Sequence, residues 1–464
     1  MYYYLARQKL TRRVNFMKRF YIDKSKDEFY TSHSGMALVG LCLNRFTSLP
    51  NRLGQVAPLK NGAISHADVI RSYIGLLSLG KSDFEAISGF RQDRYFQEAL
   101  ALKDVPSEPT LRQRMEEHAA RFQMIVNFCV TEFLQKSGAL FSPLATGHVP
   151  LDIDVFTMDN SGTKKENVSR TYMNFDGFAP IAAYLAQEGW LLEVEMREGA
   201  QHSQKDFIPF LARVLRKALD LTAAPLLVRL DSAHDAWDTR IELACHERVD
   251  YILKWNPRTQ NKADWHHKAF AEGQVSEPRP GKRVALLSVR DKHSWTDEDG
   301  LEQSLTCRRI IRVIERTIDK KGQHLLVPDI ELEGWWTSLN LSKEKVLALY
   351  RDHGTSEQFH SELKTDMDLE RLPSGKFEVN SLIMACAAFA YNILRFIGQL
   401  GLLGNKTPVR HPAKRRRIKT VIQELMYLAA RLIETGRRLW LRFSRHSGLS
   451  FEAFNTVYQR LAYG

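Results

Sequence analysis

The chain has 464 residues, with 66 Lys and Arg against 54 Asp and Glu, which gives a formal net charge of +12. Its content of 44% apolar and 10% aromatic residues is sufficient for a large core and excludes a disordered or fibrous chain. The five cysteines lie far apart and form no Cys-x-x-Cys pair, which excludes a disulfide framework and a zinc finger. The basic excess indicates a polyanionic partner.

The amino-terminal end is basic and lacks the apolar segment of a secretory signal. The most apolar stretch, 382–394, ends at Arg395 and is shorter than the roughly 20 residues that span a bilayer. We therefore expect a buried helix at this stretch, no membrane partner and a cytoplasmic location. The basic residues of the amino-terminal end are Arg7, Lys9, Arg12, Arg13, Lys18 and Arg19.

Residues from about 30 to 140 predict helices, because apolar residues recur at three- and four-residue spacing in 66–79 and 111–134. We assign 1–145 to a helical amino-terminal region. Shorter β-rich patterns follow and predict a mixed α/β sheet over 146–256. Its predicted strands are 149–157, 178–185, 190–197, 226–230 and 251–255, with helices at 206–219 and 235–248.

The pattern changes again at about residue 257. Pro and Gly clusters and three strand patterns, 284–289, 305–314 and 325–330, predict a β-rich insertion over 257–340. A long helix is then expected from an N-cap at Ser342 to about Leu369, and 341–400 completes the α/β core. We expect 401–464 to be a basic helical region, since 406–446 contains 12 Lys and Arg against two acids.

Carboxylates occur at two of the predicted strands. The alternation of the first strand places Asp152 and Asp154 on one face, and Asp231 directly follows the apolar strand 226–230. A carboxylate is costly to bury, and ligands of open α/β sheets bind at the carboxyl ends of strands. A solvated turn or helix cap remains the alternative for each acid taken alone.

A third carboxylate, Glu357, lies in the predicted long helix. Positions seven apart on a helix return to within about 20°, so Tyr350, Glu357 and Lys364 form one stripe with His353 beside it. Such a stripe is either a solvated face or a site for metal and phosphate. Three carboxylates would suit two Mg²⁺ ions, with Mn²⁺ as a substitute, for in-line attack on a phosphodiester.

The spacing of these residues resembles the signature of the DDE transposases of bacterial insertion sequences, in the branch with a Tyr-Arg-Glu-Lys motif. Tyr350, Glu357 and Lys364 match, whereas His353 stands where the branch has Arg. Arg351 is adjacent and is a candidate for the phosphate contact of that position. The segments 91–96, 105–112, 357–373 and 380–395 also resemble the family, so the likeness extends over about 30–400.

The resemblance implies a ribonuclease-H-like fold with a β-rich insertion, and catalytic metal ligands at Asp154, Asp231 and Glu357, with Asp152 as the alternative first ligand. In the family, the signature Tyr and Lys hold phosphates, and a tryptophan of the insertion stacks on a flipped base. Trp336 is our candidate for that tryptophan, beside Trp335 and Trp295, and core packing is the alternative role of each.

The implied partner is double-stranded DNA, namely the terminal inverted repeats and the target, bound by a homodimer near the bacterial nucleoid. The resemblance places repeat recognition in the helical region 1–145. Dense basic charge would add sequence-independent DNA binding, for which our candidates are Lys414, Arg415, Arg416 and Arg417. The alternatives are a repurposed DNA-binding protein that no longer cuts, and a ribonuclease-H-like nuclease that does not join DNA.

Overall fold

The computed structural model describes residues 21–296, 299–405 and 407–464. The basic residues of the amino-terminal end, Arg7 to Arg19, and Lys406 lie outside the described residues. The α-helices are α1 (Met36–Phe46), α2 (Leu49–Leu53), α3 (His66–Ser78), α4 (Arg94–Ala99), α5 (Glu108–Lys136), α6 (Phe207–Leu221), α7 (Trp237–Ala244), α8 (Lys262–Glu272), α9 (Lys343–Arg351), α10 (Ser356–Ser361), α11 (Phe377–Gly401), α12 (Ile418–Val421) and α13 (Gly448–Tyr463).

Three sheets accompany these helices. Their strands are β1 (Phe29–Thr31), β2 (Val149–Val155), β3 (Met158–Asp159), β4 (Ser169–Arg170), β5 (Asp176–Phe178), β6 (Ile181–Leu185), β7 (Trp190–Glu195), β8 (Leu226–Leu230), β9 (Val249–Lys254), β10 (Gln274–Arg279), β11 (Lys282–Thr296), β12 (Glu302–Ile318), β13 (His324–Thr337), β14 (Ala430–Thr435) and β15 (Arg438–Phe443). The largest sheet has nine strands in the order β10-β11-β12-β13-β9-β8-β2-β6-β7. The prediction of a mixed α/β sheet is confirmed.

The strand β2 lies inside this sheet, parallel to β8 and antiparallel to β6. Parallel strands that are covered on both faces are almost wholly apolar, and β8 has all five residues buried. The predicted insertion continues the same sheet, because β13 pairs with β9 through Trp335↔Lys254 and its neighbours. Its three long strands are therefore an extension of the core sheet.

The helix α11 contains the apolar stretch found in the sequence. By length and composition it could span a membrane, but 94% of its most apolar window is buried inside the protein. It packs against α5 and α3 on one side and against β7 on the other. The prediction of a buried helix at 382–394 is confirmed, and this helix joins the amino-terminal helices to the sheet.

Two predicted helices are wrong in their extent. Ser342 caps α9 by accepting the N–H of Lys345, but α9 ends at Arg351. A 3₁₀ turn (Asp352–Thr355), the short α10 and a π-helical turn (Glu362–Asp366) replace the continuous helix to Leu369. The carboxyl-terminal region is also not wholly helical. It contains the hairpin β14–β15, which pairs with β1 near the amino terminus.

Candidate active site

Two neighbouring strand ends bring acidic side chains together. In the parallel pair β2–β8, Ile153 lies opposite Leu230, so Asp154 and Asp231 occupy adjacent positions where these strands end. Both acids line a cleft of about 1080 Å³, and Glu357 reaches the same cleft from the first turn of α10. The structure thus brings the three sequence-predicted carboxylates to one cavity.

Asp154 has hydrogen-bond donors but lacks a cationic partner. Its Oδ1 accepts the N–H of Val155 at 2.8 Å, and Ser356 Oγ lies 3.4 Å from Oδ2. The pKa of Asp154 is raised to about 7, chiefly by burial, with the charge of His353 lowering it and the charge of Asp231 raising it. A carboxyl group in this state is poised to exchange its proton for a metal cation.

Asp231 is in a similar state. Its Oδ1 accepts the N–H of Ala233 at 3.1 Å, and burial raises its pKa. The nearest basic side chains to Asp154 and Asp231 are His360 and His234, each at 3.9 Å, and burial lowers the pKa of both imidazoles to about 3. Within the described ranges, neither acid forms an ion pair with Lys or Arg. Their negative charge is therefore left for a bound cation.

Asp152, the alternative first ligand, is already occupied. Arg229 donates from Nε to Oδ1 and from Nη2 to Oδ2, both at 2.6 Å, and His353 Nδ1 lies 2.9 Å from Oδ1. Burial raises the pKa of Asp152, but these two partners outweigh it and the pKa lies below its ordinary value. The two aspartates of β2 thus differ in their partners, and Asp154 is the one that faces the cleft.

Asp152, Arg229 and His353 form a cluster that connects the segment before Glu357 to the sheet. Arg229 Nη1 donates to the carbonyl oxygen of Leu349 in α9 at 2.8 Å, and Ser356 Oγ donates to the carbonyl oxygen of His353 at 3.0 Å. Burial lowers the pKa of His353, but the hydrogen bond and charge of Asp152 raise it above its ordinary value overall. His353 therefore contacts a carboxylate of the protein in this structure.

The other signature residues occupy different surroundings. Lys364 lies in the cleft, where its Nζ donates to the carbonyl oxygen of Thr157 at 2.8 Å and pairs with Glu370 at 3.0 Å. The half-buried Tyr350 packs against Trp335 and His353, and its pKa is raised by burial and then by Asp231 and Asp154. Arg351 is exposed at a separate pocket beside the insertion.

The donor set of the cleft fits a hard divalent cation. Asp154, Asp231 and Glu357 offer carboxylate oxygens, which Mg²⁺ and Mn²⁺ prefer, and the two aspartates form no ion pair with a Lys or Arg that the structure describes. Across residues 21–296, 299–405 and 407–464, no three His, Cys, Asp or Glu side chains are already grouped as ligands of one ion. The fit therefore rests on the paired aspartates, with Glu357 exposed on the facing helix.

The structure places Trp336 in the core. It is 4% exposed, and the guanidinium groups of Arg240 and Arg309 lie 4.2 and 4.6 Å from its ring centroid. In this arrangement its ring faces cations of the protein, as the core-packing alternative predicts. Trp335 is equally buried, whereas Trp295 is half-buried and stacks on His293.

The side chains of the basic run 414–417 have partners inside the protein. Arg416 is buried and donates to the carbonyl oxygens of Leu402, His411 and Val409, while its contact with DNA stays a prediction. Arg417 forms a bidentate pair with Asp366. Lys414 donates to Gln187, and Arg415 donates to Gln358 beside Glu357. The run 414–417 is therefore connected by hydrogen bonds to α10 and to the end of α11.

Arg229 is a site residue that the sequence reasoning missed. It interrupts the apolar run Leu226-Leu-Val-Arg-Leu230, and an Arg in a fully buried strand requires a buried acid as its partner. Asp152 lies directly opposite it in the β2–β8 register. If β2 and β8 are considered together, Arg229 pairs with Asp152, and Asp154 is left as the acid of β2 without a basic partner in β8.

A family model described as "Transposase DDE domain group 1" matches residues 28–463. No curated protein matches the sequence significantly. Among solved structures, the chain is similar to a cryo-EM structure of the piggyBac transposase synaptic complex with hairpin DNA. The identity is 9%, the TM-score is 0.38, and the match covers 94% of this chain and 82% of that chain.

Proposed function

Because the chain belongs to the DDE transposase family, we propose that it is the transposase of a bacterial insertion sequence. It binds the terminal inverted repeats, hydrolyses a phosphodiester at each element end and joins the freed 3′-hydroxyl groups to target DNA. The observation that carries the proposal is the pair Asp154 and Asp231, two partly exposed acids at adjacent strand ends that form no ion pair with Lys or Arg among the described residues.

We interpret β7-β6-β2-β8-β9 as a ribonuclease-H-like core with the β10–β13 insertion at one edge. Asp154 and Asp231 would hold Mg²⁺ or Mn²⁺ ions, with Glu357 as the third ligand. Bound there, such ions lower the pKa of a water or 3′-hydroxyl nucleophile and stabilise the leaving oxygen. The bidentate pair of Asp152 with Arg229 supports the choice of Asp154 as the first ligand.

The remaining side chains of the cleft orient the DNA backbone. Lys364 brings a positive charge to the rim at which Glu357 is exposed, and Arg170 and Arg258 line the same cavity. The Asp152–Arg229–His353 cluster joins β2, β8 and the turn before Glu357, and thereby fixes the third carboxylate against the other two. Two DNA ends must be joined together, so we propose that a homodimer acts in the bacterial cytoplasm.

The test is cleavage of a duplex that carries the element end, with Mg²⁺ present. Asp154→Asn, Asp231→Asn and Glu357→Gln should each reduce the rate about 10³-fold or more, because each removes several kcal/mol of transition-state stabilisation. Asp264→Asn, which changes an exposed acid of α8, is the matched control and should cut normally. Normal cleavage by any of the three variants would contradict the assignment.

The joining step needs its own measurement. A labelled, precleaved end incubated with plasmid DNA should yield strand-transfer products with the intact chain and Mg²⁺. Cleavage without any such product would identify a nuclease that does not join DNA. Binding without cleavage or joining would identify a DNA-binding protein derived from a transposase.

A further inference from the structure

We infer that the hairpin β14–β15 is a DNA-backbone contact surface outside the catalytic cleft. The inference rests on the proposed function for the identity of its ligand, duplex DNA. Its centre is what we call the β15 stripe, the side chains of Arg438, Trp440 and Arg442. Because alternate residues of a strand point to one face, these three side chains share the face opposite to Leu439 and Leu441.

The β15 stripe is exposed, although it contains a large aromatic side chain. Trp440 is 52% exposed, and both of its arginine neighbours are exposed as well. The opposite face of the strand is the packed one, where Phe443 contacts Phe451 and Phe454 of the α13 segment. The fold therefore partly covers Leu441 and Phe443 on one face of β15, leaves Leu439 exposed, and leaves the basic and aromatic face in solvent.

Nearby acids do not neutralise the β15 stripe. Glu28 pairs with Arg431 at 2.7 Å, and Glu434 pairs with Arg94 at 2.7 Å, so each acid already has a partner. In the part of the chain that the structure describes, neither Arg438 nor Arg442 forms an ion pair with a carboxylate. Two arginines whose Cα atoms are about 14 Å apart along the strand, with an aromatic residue midway, are left for an external polyanion.

The turn of the hairpin adds a second observation. Thr435 pairs with Arg438, so Gly436 and Arg437 form a two-residue turn, and their φ angles are 55° and 62°. Such turns favour Gly or Asn in this conformation, because a longer side chain is strained at positive φ. Arg437 thus occupies a position where Gly would be more stable, and its exposed guanidinium extends the positive charge of the stripe.

These features fit the backbone of duplex DNA. Guanidinium groups bind phosphates through paired N–H donors, and an indole ring between them can lie against the sugars that connect the phosphates. This contact carries no sequence information, so it would hold DNA that the cleft and the amino-terminal helices select. The hairpin pairs with β1, and Glu434 of β14 pairs with Arg94 of α4, so the hairpin lies beside the amino-terminal helices.

The test measures the affinity for a 40-base-pair duplex at several salt concentrations. Replacing both stripe arginines in Arg438→Ala/Arg442→Ala should reduce the slope of log K against log[salt] by about two, since two phosphate contacts are lost. Trp440→Ala should weaken binding several-fold with little change in slope. Lys320→Ala/Lys321→Ala, at the exposed β12–β13 turn, removes the same charge and is the control.

Arg437→Gly separates binding from folding. It should raise the melting temperature, because Gly suits the positive φ, while it weakens DNA binding. An unchanged salt slope in the double variant, or loss of the dimer instead of DNA affinity, would overturn the inference. The outcome is independent of catalysis, because an intact chain that binds DNA through the stripe without cutting would contradict only the proposed function.

Discussion

The run 414–417 and the acidic cleft both concentrate charge, but they use it differently. Each cation of the run has an acceptor inside the protein, and Arg416 is buried among three carbonyl oxygens. The partly exposed carboxyl groups of Asp154 and Asp231 form no ion pair with Lys or Arg among the described residues. The difference shows that charge without an internal partner, rather than charge density, indicates where a ligand binds.

The largest effect is expected in the run 414–417, where every cation has an acceptor inside the protein. Arg416→Ala should lower the free energy of unfolding by about 4 kcal/mol, because it leaves three carbonyl oxygens without their donor. Denaturant unfolding measures this change. Arg410→Ala, at an exposed arginine six residues earlier, is the control and should be nearly neutral. A neutral Arg416→Ala would remove the basis of the comparison.

The next effect is the pH dependence of stability that the acidic cleft causes through Asp154. The pKa of Asp154 is about 7 in the folded chain against an ordinary value of 3.8, so the folded state holds a proton that the unfolded state has released. This proton stabilises the fold at low pH, and the stabilisation is lost as the pH rises through about 7. Without divalent metal, the melting temperature should therefore fall between about pH 4 and 7 and level off above that range.

Asp154→Asn removes the titrating group and should flatten that pH profile, with a difference on the order of 2 kcal/mol. Mg²⁺ at pH 8 should restore stability to the unchanged chain and not to the variant. Thermal melts with and without EDTA provide the measurement. Identical pH profiles for the two proteins would show that Asp154 is not the unpaired acid.

A smaller effect is expected for His353, whose contact with Asp152 positions Glu357 at the cleft. His353→Gln should release the Glu357 segment from Asp152, so Glu357→Gln should weaken Mn²⁺ binding less in that background than in the unchanged chain. We expect a coupling energy of about 1 kcal/mol from calorimetric titrations of Mn²⁺. His33→Gln, which breaks a His–Asp pair of the same 2.9 Å length at Asp93, should show no coupling. Additive effects in the His353 background would contradict the positioning role.

The smallest effect is expected at Lys414, the lysine of the run 414–417. Lys414→Ala loses one exposed hydrogen bond to Gln187, so stability should change by less than about 0.5 kcal/mol. Its effect on the salt dependence of DNA binding should be smaller than that of Arg438→Ala/Arg442→Ala. If Lys414→Ala reduced the salt slope more than the stripe variant, the run would be the DNA contact.

Much of the fold follows from local patterns. The strand 226–230 and the helix starting at His66 are predicted to the residue, because apolar runs and the cap at Ser65 determine them locally. The hairpin β14–β15 was missed, although Thr435-Gly-Arg437 between alternating residues is a turn signal. The break at Asp352–Thr355 could not be read locally, because the contacts of His353 with β2 are tertiary.

In the site, too, the sequence predicts the candidate residues but not their tertiary partners. The sequence predicts Asp154, Asp231 and Glu357 as candidates, and the structure brings them to one cleft, while their roles as metal ligands stay predictions. The choice between Asp152 and Asp154 depends on Arg229, which lies 77 residues from Asp152 in the chain. Burial and pairing across such separations are properties of the packed sheet, so one sequence leaves both aspartates open.

The continuity of the nine-stranded sheet has a mechanical consequence. Eight inter-strand steps of about 4.8 Å span roughly 38 Å, from the exposed edge strand β10 to β7 on the far side of the catalytic strands. The insertion joins the rest of this sheet through three residue pairs between β13 and β9, so a displacement of the insertion acts on β9 and through it on β8. Excising 257–340 would also leave β9 as an unpaired edge beside β8, open to aggregation.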